Sequence, residues 1–389
     1  MSVALVGGTI YVSPTEEPIE DGVVVVDGGK IAAVGSRTVV DIPSSGQLLN
    51  CSGFTITGGF WNSHVHFFER KWANALEIPA LELRRQLREM LTRYGFTTAF
   101  DLASEWKNTR NIRDRIESGE VPGPRIRSTG EALIPPGAVP SETVLHMMGA
   151  MNVPVPEVKN AKEAAIATRK LLDQGVDGIK LFASSPRSAA LAQSAIEAAA
   201  KEAHRAGKPV FVHPNNGVDV LTAVRGGADV IAHTTPQSGD WDETILSEMK
   251  AHRVALTPTL TIWKYYARHD RASMQDHIVK TETEQLRAWV SMGGAVLFGT
   301  DLGAVDPDPT EEYTLMTQAG MTFREILASL TTEPAERFGD SHRLGRIAPG
   351  FQADLVVLRG DPSRNIESLA AVEYTLRDGR IIHHRGLGV

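Results

Sequence analysis

Over the first fifty residues, short β-branched apolar runs are separated by turn-forming positions. Val3–Val6, Thr9–Val12, Gly22–Val26 and Lys30–Val34 read as strands, with Asp27-Gly28-Gly29 as the hairpin between the last two. The last forty residues repeat the pattern in Ala353–Leu358, Ala371–Leu376 and, after Asp378-Gly379, Arg380–His383. Between these ends the pattern changes. Short apolar runs alternate with longer segments whose apolar positions recur at helical spacing, the mark of parallel strands joined by helical crossovers. Ala161–Gln174 and Ala195–Ala206 are two such helices, closed by Gly175 and Gly207, which suit the left-handed position past a helix end. In Glu333-Pro334-Ala335 the proline sits just inside a helix start, where its missing N–H is not needed.

Eight strands can be counted in this middle part. They are a segment running into His64, then Thr97–Asp101, Arg125–Ser128, Gly178–Phe182, Pro209–His213, Val230–His233, Val254–Thr257 and Val296–Asp301. Their alternation with helices predicts an α/β fold of the (β/α)8 TIM barrel kind rather than an open doubly wound sheet. No G-x-G-x-x-G or Walker A motif follows any of them, which argues against dinucleotide and P-loop chemistry. The connection from Glu131 to Asn160 is long and holds several prolines with Met147, Met148 and Met151; it is expected to be a lid or substrate-facing loop. Trp263, Tyr265 and Tyr266, after the seventh strand, are expected either as a second wall of a pocket or as helix packing.

Charge and cysteine content narrow the chemistry. A formal net charge of −7 over 389 residues gives no support to nucleic acid or an anionic membrane as partner. With one cysteine, Cys51, no internal disulfide and no thiolate-rich metal site can form, so a metal here must be held by nitrogen and oxygen. No apolar run reaches the roughly eighteen residues a membrane span needs. Met1–Ile10 lacks the basic and apolar regions of a signal peptide, so the cytoplasm is the expected location unless a leader was removed.

In such a barrel the catalytic groups sit at the C-terminal ends of the strands. The first strand ends Gly58-Gly59-Phe60-Trp61-Asn62-Ser63-His64-Val65-His66. Alternation along extended chain puts both imidazoles on one face, able to reach one ion, and turns Val65 away. The fourth strand contains Lys180, the fifth ends in His213, the sixth in His233 and the eighth in Asp301. Taken singly, each histidine could be a satisfied core residue and Asp301 a helix cap. Their arrival at one mouth from five strands is not accounted for in that way. Lys180 says most. Alternation aims Gly178, Lys180 and Phe182 inward and Ile179 and Leu181 outward against helices. A buried, unpaired ammonium is costly. Reaction with carbon dioxide would turn the amine into an anionic two-oxygen ligand, and burial favours the neutral amine that reaction needs. The plain alternative is a lysine ion-paired to a carboxylate inside the barrel.

On these residues the chain resembles the amidohydrolase superfamily, in particular the prolidase-like and imidazolonepropionase-like members with a binuclear metal centre and a carboxylated lysine. The likeness runs over nearly the whole chain. Gly22–Val34, continuing to Gly35, resembles the N-terminal half of that family's β-sandwich, and Gly345–Val357 the C-terminal half. The resemblance therefore implies a small β-sandwich domain built from both termini, 1–55 and 347–389, around a barrel over 56–346. It implies that His64, His66 and Asp301 hold the more buried of two divalent ions, zinc first among candidates, and His213 and His233 the more exposed one. Carboxylated Lys180 would bridge them. The implied reaction is hydrolysis of an amide or related C–N bond of a small molecule by metal-activated water, in an N-acyl amino acid, a dipeptide or a cyclic amide. Asp301 would take the proton from that water and deliver it to the leaving amine. A homo-oligomer is implied as well.

Further residues carry weaker expectations. Asp101 and Arg127 are candidates for support behind the ligands, Asp101 orienting a histidine or pairing with Arg127. Glu69, Glu131 and Trp263 are candidate substrate contacts. None of the other histidines is expected to bind metal. The chain departs from its relatives at Asn62, where many have aspartate, and in the runs Pro214-Asn215-Asn216 and Thr234-Thr235-Pro236. Two rival readings remain at this point: a mononuclear, deaminase-type aminohydrolase with Lys180 as a structural cation and His233 as general acid/base, and a non-catalytic scaffold on a hydrolase fold.

Overall fold

The computed structural model describes residues 2–138, 155–184, 190–303 and 305–386. Much of the Glu131–Asn160 connection, with Met147, Met148 and Met151, lies outside the described residues.

Strands from both ends of the chain share one eight-stranded sheet. From the N-terminal side come β1 (Val3–Ile10), β2 (Ile19–Asp27), β3 (Lys30–Ser36), β4 (Gln47–Asn50) and β5 (Phe54–Gly58). The two strands expected at Val3–Val6 and Thr9–Val12 are one strand, β1, whose register slips at Val6/Gly8 and Gly8/Ile10. The bend, with Gly7 at φ +91, lets its first half pair with β4 and its end with β5. From the C-terminal side come β14 (Leu355–Arg359), β15 (Val372–Arg377) and β16 (Arg380–His384), and β14 pairs antiparallel with β5.

Side chains on β14 alternate between two cores. Leu355 and Val357 join Leu5, Val24, Val26 and Ile56, while Val356 and Leu358 join the large cluster that includes Phe60, Phe96 and Phe298. A single residue, Gly59, separates β5 from β6 (Phe60–Val65). A Cβ there would stand 2.3 Å from Thr97 Oγ1 and 2.9 Å from Asp354 Cβ, so only glycine fits this passage.

The remaining strands are all parallel. β6, β7 (Phe96–Asp101) and β8 (Arg125–Ser128) form one sheet. The other contains β9 (Ile179–Phe182), β10 (Val210–His213), β11 (Val230–Ala232), β12 (Ala255–Thr257) and β13 (Ala295–Val296), in that spatial order. Backbone bonds cross both gaps between them: Leu133 N donates to Lys180 O, Ser63 N to Phe298 O at 2.7 Å, and Asp301 N to His64 O at 2.9 Å. The strand expected over Val296–Asp301 is regular only at its start. Asp301 has φ +58, which breaks the pleat. Trp61, Phe100, Phe211 and Leu297 pack with Phe338 among these strands. Ile179 and Leu181 face the helix-packed cluster, as alternation predicts.

The expected helices form at Ala161–Asp173 and Gln193–Arg205. After β12 come a helix at Leu260–Ala267, a long one at Ala272–Ser291 and a third at Thr310–Gln318. No described helix is long and apolar enough to cross a membrane.

The long helix buries Glu282 completely, with neither carboxyl oxygen hydrogen-bonded. Burial, then the carboxylates of Glu312 and Glu311, push its pKa well above the ordinary value, against the opposing pull of Lys264. A carboxyl whose pKa rises on folding stabilises the fold fully below its unfolded value, and that contribution is lost as pH climbs through the folded value. Glu282→Gln is therefore expected to match the parent's melting temperature at pH 4 and exceed it at pH 9. Each pH unit between the unfolded and the folded pKa is worth about 1.4 kcal/mol to the difference. A difference in melting temperature that stays constant across that range would show that folding does not raise the pKa of Glu282.

Candidate metal centre

Strand ends bring the six expected donors together. His64 closes β6 with His66 just beyond it, Lys180 lies in β9, His213 ends β10, His233 follows β11, and Asp301 follows β13. The His64 ring centre lies 5.1 Å from that of His66 and 4.7 Å from that of His233, and His233 is 4.7 Å from His213. Asp301 Oδ1 stands 2.6 Å from His66 Nε2 and 3.3 Å from His64 Nε2. One ligand atom each from His64, His233 and Asp301 lie within 4.8 Å of one another. Val65 turns away into the apolar cluster.

The chemical state of these groups suits metal binding. Both ring nitrogens of His64, Nδ1 of His66 and Nζ of Lys180 are buried without a hydrogen-bond partner. Leaving such an atom unpaired costs about 1–3 kcal/mol, so four in one place mark a site shaped for something other than protein. Burial, followed by the charge of Lys180, holds His64 well below its ordinary pKa and brings His213 down to about 3. Burial and then His213 do the same for His233. The imidazoles of His64, His213 and His233 are thus neutral, the form a metal ion takes. Burial lowers Lys180 to about 7, which leaves much of the amine unprotonated near neutral pH. For Asp301 burial works against the charge, but His64 and His66 outweigh it and the carboxyl is held well below the usual range. Nitrogen and carboxylate donors of this kind fit a divalent cation of the zinc or manganese type.

The backbone is strained at the site. His233 has φ +82 and Asp301 φ +58, and a left-handed conformation costs a residue other than glycine roughly 1–2 kcal/mol. Thr235, beyond His233, is gripped by Gln285 of the long helix, which takes its N–H at 2.7 Å and donates to its carbonyl at 3.0 Å. Behind His64, Asn62 accepts from the His64 N–H and donates to Thr300 Oγ1 at 2.8 Å. The amide thus ties β6 to the segment carrying Asp301 without adding a charge.

The expected supporting residues divide. Asp101 pairs with no arginine among the described residues. One carboxyl oxygen accepts from Phe67 N and the Ser104 hydroxyl, the other from the hydroxyls of Thr109 and Ser128, which pins the backbone next to His66. Arg127 is a correction. It binds Asp340 and the Phe338 carbonyl and lies over the Trp61 ring, so its alternation aims it away from Asp101. Glu69 is occupied by Trp72 Nε1 and Lys71. Glu131 accepts from Trp106 N and lines a separate groove of about 800 Å³ with Lys107, Arg110, Glu157 and Lys170. Trp263 does reach the site, edge-on to His233 at 6.3 Å, with its indole N–H buried and unpartnered.

Phe182, aimed inward by alternation, stacks on His213 at 4.5 Å. Two residues at the site escaped sequence reasoning. Phe68 stacks on His66 at 4.7 Å and could have been found by alternation from that ligand. Thr259 meets His233 Nδ1 at 2.5 Å, and nothing in the sequence pointed to it.

Residues 55–383 match the family described as the amidohydrolase family. A 43-residue stretch is 49% identical to the amidohydrolase tasK of Hapsidospora irregularis, covering 11% of this chain and 4% of that protein's length. A solved prolidase complexed with N-methylphosphonate-L-proline is 27% identical, with a TM-score of 0.79 over 99% of this chain and 100% of that one. A Xaa-Pro dipeptidase with bound methionine has a TM-score of 0.83 at 21% identity, over 98% and 99% of the two chains. An ochratoxinase from A. niger reaches 0.80 at 22%, over 100% and 97%.

Proposed function

Since this chain belongs to the amidohydrolase family and is a hydrolase acting on carbon–nitrogen bonds, we propose that it is a metal-dependent amidohydrolase holding two divalent ions, zinc foremost. The observation that carries this reading is the set of buried nitrogens on His64, His66 and Lys180 left without partners beside Asp301. His64, His66 and Asp301 would hold one ion, His213 and His233 the other, with a carboxylated Lys180 shared between them. When bound, the ions bring the pKa of a water near neutrality and polarise a substrate carbonyl. Asp301, its charge favoured by two imidazoles, then takes the proton of the attacking water and passes it to the departing amine.

The substrate we propose is a small amide: an N-acyl amino acid, a dipeptide or a cyclic amide. Phe68, Phe182 and Trp263 border the donors with apolar surface, which suits a substrate with an apolar group next to the scissile bond. Likeness to a prolidase complexed with N-methylphosphonate-L-proline favours the dipeptide. Trp263 is the one expected substrate contact that this reading keeps. The same reading takes the two parallel sheets as one (β/α)8 barrel over 56–346 and the shared end sheet as a β-sandwich of 1–55 and 347–389. It also takes the enzyme to be a cytoplasmic homo-oligomer.

Elemental analysis of the purified protein is expected to find close to two zinc-type ions per chain. A screen of the metal-loaded protein against N-acyl amino acids, dipeptides, lactams and lactones is expected to find turnover that chelation abolishes. One ion per chain would leave Lys180 a plain cation and favour deaminase-type chemistry. Hydrolysis that survives complete metal removal would overturn the proposal.

A further inference from the structure

Building on the reading of His233 as a metal ligand, we propose that Glu312, on a helix that supplies no ligand, is a positioning residue that fixes the tautomer of His233 through Thr259. Thr259 has a left-handed backbone, φ +46, and starts the helix Leu260–Ala267. Its hydroxyl hydrogen goes to the Pro258 carbonyl at 2.8 Å. The oxygen can then only accept from His233 Nδ1, 2.5 Å away. His233 therefore carries its proton on Nδ1, and Nε2 keeps the lone pair a metal ion needs.

Thr259 can do this only if it is spared another duty. It occupies the N-cap position, where a threonine hydroxyl ordinarily accepts an N–H from the first turn of the helix, yet it makes no such bond. Those first N–H groups are buried and need acceptors. Glu312 supplies them from the helix Thr310–Gln318. One carboxyl oxygen accepts from Leu260 N at 2.8 Å, and the other from Thr261 N at 2.8 Å and Thr261 Oγ1 at 2.6 Å. The carboxylate caps a helix that is not its own, at a site 1% exposed. Without it, the Thr259 hydroxyl, at the N-cap position, is the acceptor that helix geometry offers the stranded N–H groups. Turning toward them would release His233.

The test follows the ring nitrogens of His233 in metal-free, 15N-histidine-labelled protein, with His233→Asn identifying the signal. The parent is expected to show the Nδ1–H tautomer, its proton slow to exchange with water. Glu312→Gln offers one acceptor oxygen for three donors and sets an NH2 group against an N–H. It is expected to mix the tautomers and speed that exchange about tenfold, and to weaken binding of added zinc by about 10–100-fold, the range found when support behind a ligand is lost. Thr259→Val should do the same from the other end. Glu282→Gln makes the same carboxyl-to-amide change in the neighbouring long helix with no hydrogen bond to Glu312, Thr259 or the first turn at Leu260, and should alter neither readout at pH 7. An Nδ1–H tautomer and zinc affinity unchanged in Glu312→Gln would overturn the proposal. So would equal changes in Glu282→Gln, or an Nε2–H tautomer in the parent, which needs no variant to fold. If His233→Asn keeps its full metal complement, the ligand assignment fails, while the tautomer result still judges Glu312 separately.

Discussion

Replacing Asp301 by Asn is expected to lower kcat/KM by about 10⁴-fold, the upper end of what a positioned general base contributes. The substitution keeps the shape of the side chain and removes its charge. Asp301 Oδ1 lies 2.6 Å from His66 Nε2 and 3.3 Å from His64 Nε2, so an amide can keep a similar contact geometry but cannot accept the proton of water. Two losses can be separated by measuring bound metal beside turnover. If both ions remain and turnover falls, proton transfer was the role lost; if one ion leaves, ligation was. Parent-level turnover in Asp301→Asn with metals bound would remove Asp301 from the mechanism altogether.

The second large effect concerns Lys180. Its amine is buried, unpartnered and brought down to about 7, with Asp301 the one charge that opposes the fall. In carboxylation the neutral amine nitrogen attacks the carbon of carbon dioxide and releases one proton, which converts the unprotonated amine into an anion able to bind two ions. Lys180→Ala is expected to reduce bound metal from two ions to one or none. It should lower kcat/KM by about 10³-fold or more, since water without metal activation is a far poorer nucleophile at neutral pH. Metal-free protein supplied with 13C-bicarbonate and zinc should show a carbamate carbon signal that Lys180→Arg lacks. Full loading with two ions in carbon-dioxide-free buffer, with an unmodified lysine, would sink the carboxylation. These outcomes bear on Lys180 alone and leave the family assignment standing.

The donors were legible in the sequence because each lies in a strand or in the segment that leaves its end, and strands obey a two-residue period. His64 and His66 on one face, and Lys180 between outward-facing Ile179 and Leu181, follow from local geometry alone. What lay beyond reach depends on chain segments far apart. Arg127 looked like a companion for Asp101, but it alternates with Ser128, whose hydroxyl is the group on that strand that reaches Asp101. The partner of Arg127, Asp340, is 213 residues away. Glu312 lies 51 residues beyond Thr261, and its capping role appears only once two helices are packed. The eighth strand was traced too long because its regular pairing stops after Val296, which the apolar run on through Phe298 does not mark. Glu131 was misread for another reason: a polar residue just past a strand end can turn outward, and here it does, into a groove between helices.

The pairing of β14 with β5 also sets the order in which the protein can be made. Thr55 Oγ1 donates to the Gly360 carbonyl across 305 residues. While the chain emerges from the ribosome, β5 must therefore wait with that edge bare until the whole barrel segment has been synthesised. A bare edge is an invitation to wrong pairing, and contacts this distant in sequence are slow to form. Yet β5 runs through Gly59 into the strand that presents His64. That strand pairs with β7 early but gains its other neighbour, the Phe298–Leu302 segment, only late in synthesis, so a nascent chain carries His64 and His66 well before it has a finished place to put them.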